Sequence, residues 1–288
     1  MAWTNYHNHC HYCDGKFSVE DHVISAIEKN LIALGMSSHC PVDFENGWSM
    51  AKKDIPGYFE EIRSAKNKYH EQIEIYTSLE IDFIPDIVSP SDLFITELKL
   101  DYTIGSIHFV EAFEDGKPWE IDGSTALFER GLAEIHQNDI KKVVQKYFNL
   151  TRQMIRDTRP DIIGHIDKIK MHNRKKPFFS ENERWYRNEV EETLKTLAVT
   201  GGIMEVNTRG LYKKYSDTPY PSPWVISRAY EMDIPVCINS DAHTPDEITL
   251  AFEYAASLLK EAGYHTIQVL LKDKWQSLPF DNQGVIIS

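Results

Sequence analysis

Residues 236–243 read VCINSDAH: a short β-prone run followed by a carboxylate at Asp241 and an imidazole at His243, two positions on. An apolar run of this length, bounded by polar residues, is the pattern of a buried strand. Residues two apart on leaving a strand point to the same side, so one ion can meet both side chains. The arrangement recurs along the chain. Candidate strands fall at Trp3–His9, Ala33–His39, Ile73–Glu80, Tyr102–His108, Ile162–His165, Ile203–Asn207 and Val236–Ser240, and six of the seven bring a histidine or a carboxylate to their end.

The intervening segments repeat apolar residues every three or four positions, the stripe of an amphipathic helix. Ser18 with Asp21 reads as a capping box opening a helix whose stripe is Val23, Ile24, Ile27 and Leu31. A longer stripe holds Ile140, Val143, Val144, Tyr147, Phe148, Met154 and Ile155. A third holds Ile248, Ala251, Phe252, Ala255, Leu258, Leu259 and Ala262, with Thr244 as N-cap and Pro245 at the first position. Strands alternating with helices predict an α/β fold on a parallel sheet. Seven runs suit a distorted seven-stranded, TIM-like (β/α)7 barrel forming a single domain over 1–288, with the polar residues at the C-terminal ends of the strands. The stretches Phe109–Ile140 and Lys168–Asn182 lack a clear period and are expected as loops walling a substrate pocket on that face.

Composition narrows the chemistry. The chain has 288 residues, 42% of them hydrophobic, enough to bury a full core without disulfides or metal. A net charge of −13, from 44 acidic and 31 basic residues, disfavours a nucleic-acid backbone as partner. A local anion site survives that charge, because bound divalent cations reverse the potential inside a pocket. Cys10, Cys13, Cys40 and Cys237 do not form the paired spacing of a structural zinc site, and the Cys10/Cys13 pair reads as incidental. With no signal-like apolar core at its start and no long apolar run, the chain is expected in the cytoplasm, away from membranes.

An imidazole or carboxylate at a buried strand end carries a desolvation cost unless it finds a partner. Taken singly, His7, His9, His39, Glu80, His108, His165, Asp241 and His243 each have a bland reading as a hydrogen-bonded or solvated side chain. A shared metal cluster supplies the partner for all of them at once. Glu80 can bridge two cations through its two oxygens, and Asp14, in YCDGK, lies where a loop could return a carboxylate to the cluster, although an Asp-Gly turn explains it equally well. Imidazole and carboxylate ligands without thiolates suit Zn²⁺, Mn²⁺ or Fe²⁺. Arg209, in NTRG, has the planar fork that fits phosphate oxygens, and Arg174 and Lys168 are further candidates for the same contact. His11 and His172 are pocket candidates only.

In order, HNHCHYCDGK, the SSH ending at His39, SLEIDF, IGSIH, GHIDK, EVNTRG and NSDAH resemble the motifs of the polymerase and histidinol phosphatase (PHP) superfamily, most of all its histidinol-phosphate phosphatase branch. The resemblance implies a distorted seven-stranded barrel with two or three divalent metals. By it His7, His9, Glu80 and Asp241 hold one metal, Glu80, His108 and His165 a second, and Asp14, His39 and His243 a third. Asp14 stands where the superfamily often has histidine. The implied reaction is hydrolysis of L-histidinol phosphate, a small phosphomonoester, to histidinol and phosphate in histidine biosynthesis. A metal-bridging hydroxide attacks in line, with Asp241 and Glu80 as catalytic ligands and Arg209 on the phosphate. Glu111, Glu114, Asp115, Trp119 and Tyr212 are candidates to read the substrate's amine and imidazole. Other readings are a PHP-type phosphotyrosine phosphatase, which needs a wide entrance, a nuclease, which needs a basic track, and a metal-binding module without turnover. A homo-oligomer is compatible with all of them.

Overall fold

The computed structural model describes residues 2–174 and 177–287. In chain order its strands are β1 Trp3–Asn5, β2 Leu31–Met36, β3 Glu74–Thr77, β4 Glu80–Asp82, β5 Ile104–Ser106, β6 Phe109–Ala112, β7 Pro118–Glu120, β8 Ile162–Ile163, β9 Ile203–Asn207, β10 Val236–Asn239, β11 Thr266–Leu271, β12 Lys274–Asp281 and β13 Gly284–Val285. The helices are α1 Val19–Glu28, α2 Ile55–Tyr69, α3 Leu93–Glu97, α4 Thr125–Glu134, α5 Ile140–Asp157, α6 Arg184–Thr200, α7 Arg209–Tyr212, α8 Pro223–Tyr230 and α9 Phe252–Ala262. Among the described residues no helix is long and apolar enough to cross a membrane.

Two parallel sheets carry the fold, one ordered β1-β2-β3 and one ordered β10-β9-β8-β5-β4. Single parallel bridges link them, Asn8 to Ala242 and His39 to Glu80. The expected strand Ile73–Glu80 is split between the sheets at Ser78 and Leu79. Ser78 still donates its N–H to Met36 O (2.8 Å), yet its hydroxyl donates to Tyr102 O (2.8 Å), so the chain changes neighbours there and Glu80 emerges beside β5.

Other boundaries also differ from expectation. The capping box at Ser18 is present, with both reciprocal bonds to Asp21. The helix stops early, because Asn30 turns at φ 58°, and Leu31 opens β2 instead of continuing the stripe, while Ile24 lies exposed. α5 spans its whole expected stripe. α9, in contrast, starts only at Phe252: Pro245–Glu247 form a 3-10 turn, Thr244 makes no side-chain cap bond, and Ala251 sits at φ 63°. The carbonyls of Ile248 and Leu250 are taken by Asn5 Nδ2 (2.9 Å) and Thr208 Oγ1 (2.8 Å), so they are not free for a helical ladder.

The expected loop Phe109–Ile140 holds the β6–β7 hairpin and α4, capped by Ser124 accepting from Leu127 N–H (3.2 Å). Trp119 anchors it, fully buried against Gly131, where a Cβ would lie 2.1 Å from the indole. Lys168–Arg174 form a 3-10 helix, while Lys175 and Lys176 of the second expected loop lie outside the described residues. The antiparallel β11-β12-β13 sheet packs under the strand starts, where Tyr6 OH donates to Leu270 O (3.0 Å) and accepts from Leu270 N (2.8 Å).

Candidate metal centre

Glu80 stands at the centre of the imidazoles. Its Oε2 lies 3.1 Å from His7 Nε2, 3.1 Å from His39 Nδ1 and 3.5 Å from His9 Nε2. Its Oε1 lies 2.9 Å from His165 Nε2 and 3.6 Å from His108 Nε2. Asp241 Oδ1 faces His9 Nε2 at 3.3 Å and His243 Nδ1 at 3.5 Å, and Asp14 Oδ1 faces His243 Nε2 at 3.2 Å and His39 Nε2 at 3.7 Å. All nine sequence candidates for metal ligation therefore converge, eight of them buried and Asp14 exposed.

Three sets have ligand atoms within 4.8 Å of one another: His7, His9 and Asp241; His39, Glu80 and His108; and His9, Asp14, His39 and His243. His39 thus leans toward Glu80 as well as Asp14, a sharing that the resemblance does not imply, and His165, in none of the three sets, meets the cluster through Glu80 at 2.9 Å and beside the ring of His108.

Two observations test whether the cradle fits a cation. His7 Nε2, His9 Nε2, His39 Nδ1 and Glu80 Oε2 are buried without a hydrogen bond of normal geometry, although buried polar atoms are nearly always satisfied. The donor set is imidazole nitrogen and carboxylate oxygen throughout, which suits a divalent first-row ion. Burial and the neighbouring His243 and His39 keep His9 well below the usual imidazole pKa, so its lone pair is free to coordinate. At His7 burial opposes charge, but Glu205, Glu80 and Asp241 outweigh it and hold the pKa well above normal, so a cation binding there displaces a proton. Burial likewise opposes charge on Glu80, and the imidazoles of His7, His39 and His108 overcome it, keeping the carboxyl well below its ordinary range.

A layer of carboxylates behind the candidate ligands was not foreseen from the sequence. Glu205, fully buried on β9, accepts from His7 Nδ1 at 2.6 Å, from His165 N–H at 2.8 Å and from Asn239 Nδ2 at 3.0 Å. It thereby turns His7 Nε2 into the cluster. Asp82 does the same for His108, whose Nδ1 lies 2.9 Å away; burial disfavours charge there, yet Asp82 lifts the His108 pKa to about 9. The available signal was spacing: Asp82 follows Glu80 by two positions and Glu205 lies inside an apolar strand, where an unpaired carboxylate is costly. Replacing Glu205 with Gln leaves the shape but weakens the grip on His7, and metal affinity should fall about 10- to 100-fold. Chelator competition on the purified protein measures this, and an unchanged affinity would mean that Glu205 does not orient the ligand.

The cluster opens into a cleft of about 160 Å³ whose walls include Trp48, Glu120, Asp122, Lys168, Tyr215 and Tyr220. Arg209 lines it, donating from Nη1 to Asp241 O (2.8 Å) beside Tyr212 OH (3.4 Å). Lys168 Nζ also reaches it, 2.7 Å from Asp122 and 3.3 Å from His108 Nε2. Arg174 does not line this cleft. Its guanidinium is engaged by Asp217 at 2.9 Å and by the Lys214 carbonyl, in an adjoining recess. His11 is exposed, 3.7 Å from Glu61, and His172 Nε2 is bonded to Ile121 O at 2.9 Å, so neither joins the cluster. Glu111 faces His136 (3.3 Å), Glu114 and Asp115 are exposed at the hairpin tip, and Trp119 is core, so none of these lines the cleft either.

The PHP domain model matches residues 5–209, from the first strand to the arginine of the cleft. The chain belongs to the PHP domain family. Among curated relatives of this PHP chain, a Deinococcus radiodurans protein named as a probable histidinol-phosphatase is 26% identical, over 84% of the chain and 86% of the relative. The Bacillus subtilis histidinol-phosphatase is 25% identical over 86% of the chain and 96% of its own length. A crystal structure of histidinol phosphate phosphatase from Lactococcus lactis, complexed with zinc, L-histidinol and phosphate, is 18% identical. It covers 99% of each chain at a TM-score of 0.69, which shows the shared α/β fold with its parallel sheets.

Proposed function

We propose that this PHP chain is a metal-dependent phosphomonoesterase that hydrolyses L-histidinol phosphate to L-histidinol and inorganic phosphate. The observation that carries the reading is one carboxylate, Glu80, within 3.6 Å of five histidine nitrogens, several of them with no other bond. The names of the curated relatives supply the substrate. In this reading 1–288 is one domain, β3 and β4 are a single interrupted barrel strand, and the bridges at Asn8–Ala242 and His39–Glu80 are the seams of a closed barrel.

Two or three Zn²⁺, Mn²⁺ or Fe²⁺ ions would be held by His7, His9, Asp14, His39, Glu80, His108, His165, Asp241 and His243. Bound there, such ions supply an activated water and neutralise charge on the phosphoryl group. The protein contributes the rest. Arg209, fixed by the Asp241 carbonyl and Tyr212, presents its free edge to a phosphate oxygen, and Lys168, which lines the same cleft, adds a second positive charge. Asp241 is placed to steer the attacking water as well as to ligate, facing both His9 and His243. The small cleft seats a metabolite more readily than a protein phosphotyrosine or an oligonucleotide.

Phosphate release from L-histidinol phosphate, phosphotyrosine and a single-stranded oligonucleotide tests the reading. The metal-supplemented protein should prefer histidinol phosphate about 100-fold or more in kcat/KM, roughly 2.7 kcal/mol of transition-state discrimination. Dialysis against a strong chelator should abolish turnover, and adding back Zn²⁺ or Mn²⁺ should restore it. Equal rates on all three substrates would remove the substrate assignment, and activity untouched by the chelator would remove the metals.

A further inference from the structure

Resting on the proposed reading of a phosphomonoester with a cationic body, we infer that Glu120 is the residue that receives the substrate's positive charge. Glu120 closes β7 and pairs across the hairpin with Phe109. The next residue, Ile121, donates its N–H to His108 O at 2.9 Å, so Glu120 is held on the same rigid turn as a candidate metal ligand. From there it lines the same cleft as Arg209 and the cluster.

What sets Glu120 apart is charge balance. Every other acid of the cleft has a close nitrogen partner: Asp122 holds the Lys168 ammonium at 2.7 Å, while Asp14 and Asp241 face the imidazoles of His243 at 3.2 Å and His9 at 3.3 Å. Among the described residues Glu120 makes no ion pair: His108 and Lys168 act on it only at longer range, and it shares its surroundings with the negative charge of Asp122. Burial, then Asp122, raises its carboxyl pKa above the usual range, the mark of an anion short of a counter-charge. The Trp48 indole is the neighbouring donor, but its Nε1 is buried without a hydrogen bond of normal geometry.

A protonated amine or imidazole delivered by the substrate completes this half of the cleft, while the phosphate end takes the metals, Arg209 and Lys168. The cleft is therefore polar in one direction, anion-binding at the cluster and cation-binding at the hairpin. Such a layout selects phosphomonoesters whose alcohol carries positive charge. Neutral and anionic alcohols leave Glu120 desolvated and unpaired, which costs affinity.

Glu120→Gln keeps the shape and removes the charge. The readout is the ratio of kcat/KM for L-histidinol phosphate to that for phenyl phosphate, measured on wild type and variant with equal metal content. We expect this ratio to fall about 10- to 100-fold, chiefly through KM for histidinol phosphate. Equal losses on both esters, or no change in the ratio, overturn the assignment. If the wild type cleaves phenyl phosphate but ignores histidinol phosphate, the proposed function has failed. O-phosphoethanolamine and ethyl phosphate then decide the role of Glu120 separately. A preference for the aminated ester that Glu120→Gln erases upholds it, and equal turnover of the two overturns it.

Discussion

Glu80→Ala is expected to lower kcat/KM by about 1,000-fold or more, close to 4 kcal/mol of transition-state stabilisation, and to release most of the bound metal. Among the described residues no other carboxylate faces imidazole nitrogens of both sets: Glu80 Oε2 serves His7, His9 and His39, while Oε1 serves His108 and His165. Removing it leaves these imidazoles without a shared anion and separates the ions they would hold. Elemental analysis together with phosphate release measures both effects. A variant that retained full metal content and activity would sink the cluster, provided circular dichroism shows that the fold persists. Glu80→Asp is the useful companion, since it keeps the charge but shortens the reach, and it should fall between wild type and alanine.

Arg209→Ala should cost about 100- to 1,000-fold in kcat while leaving metal content unchanged. That is the typical loss when one fixed donor to a developing oxyanion is removed. The guanidinium already spends one edge on the Asp241 carbonyl, with Tyr212 OH beside it, so its orientation is set before substrate arrives. Lysine should not rescue the defect, because a single ammonium cannot hold a backbone carbonyl and a phosphate in fixed planar geometry together. If the alanine variant raised KM alone, Arg209 would be a binding residue with no special role in the transition state. If metal were lost as well, its task would be to support Asp241.

The sequence made the candidate ligands legible because their residue types conflict with their positions. Histidines and carboxylates at the ends of β-prone apolar runs are expensive to bury singly, and the structure brings all nine together. The α5 stripe and the Ser18 capping box were legible for a simpler reason, since both depend on residues within a few positions of one another. What failed depends on distant partners. Glu205 is explained only by distant partners, His7 at 198 positions away with the His165 N–H and Asn239, and the late start of α9 only by Asn5 and Thr208 claiming its carbonyls. The β6–β7 hairpin escaped notice because its anchor, Trp119, is buried by packing on Gly131 of a following helix, with little pattern of its own. Arg174 was drawn to the site by charge and loop position, whereas its geometry is set by Asp217 and the Lys214 carbonyl.

Glu120 illustrates the same limit at the substrate. The sequence offered five residues for the amine and imidazole, four of them in or near the hairpin, and the hairpin does supply the residue now assigned. The choice within it depends on which faces the cleft, and strand register decides that.

The seam between the two ends of the chain also sets a timetable. Asn5 Nδ2 donates to Ser240 Oγ at 2.7 Å, Tyr6 N donates to Asn239 Oδ1 at 2.8 Å, and His9 N donates to Ala242 O at 2.7 Å. During synthesis the first two histidines emerge about 230 residues before those partners exist, an interval of roughly 10–50 s at ordinary elongation rates. Until then His7 and His9 have neither Asp241 nor Glu205 beside them. A nascent chain that stops short of Asp241 therefore lacks the full cradle, and the proposed capture of a cation waits until synthesis has passed His243.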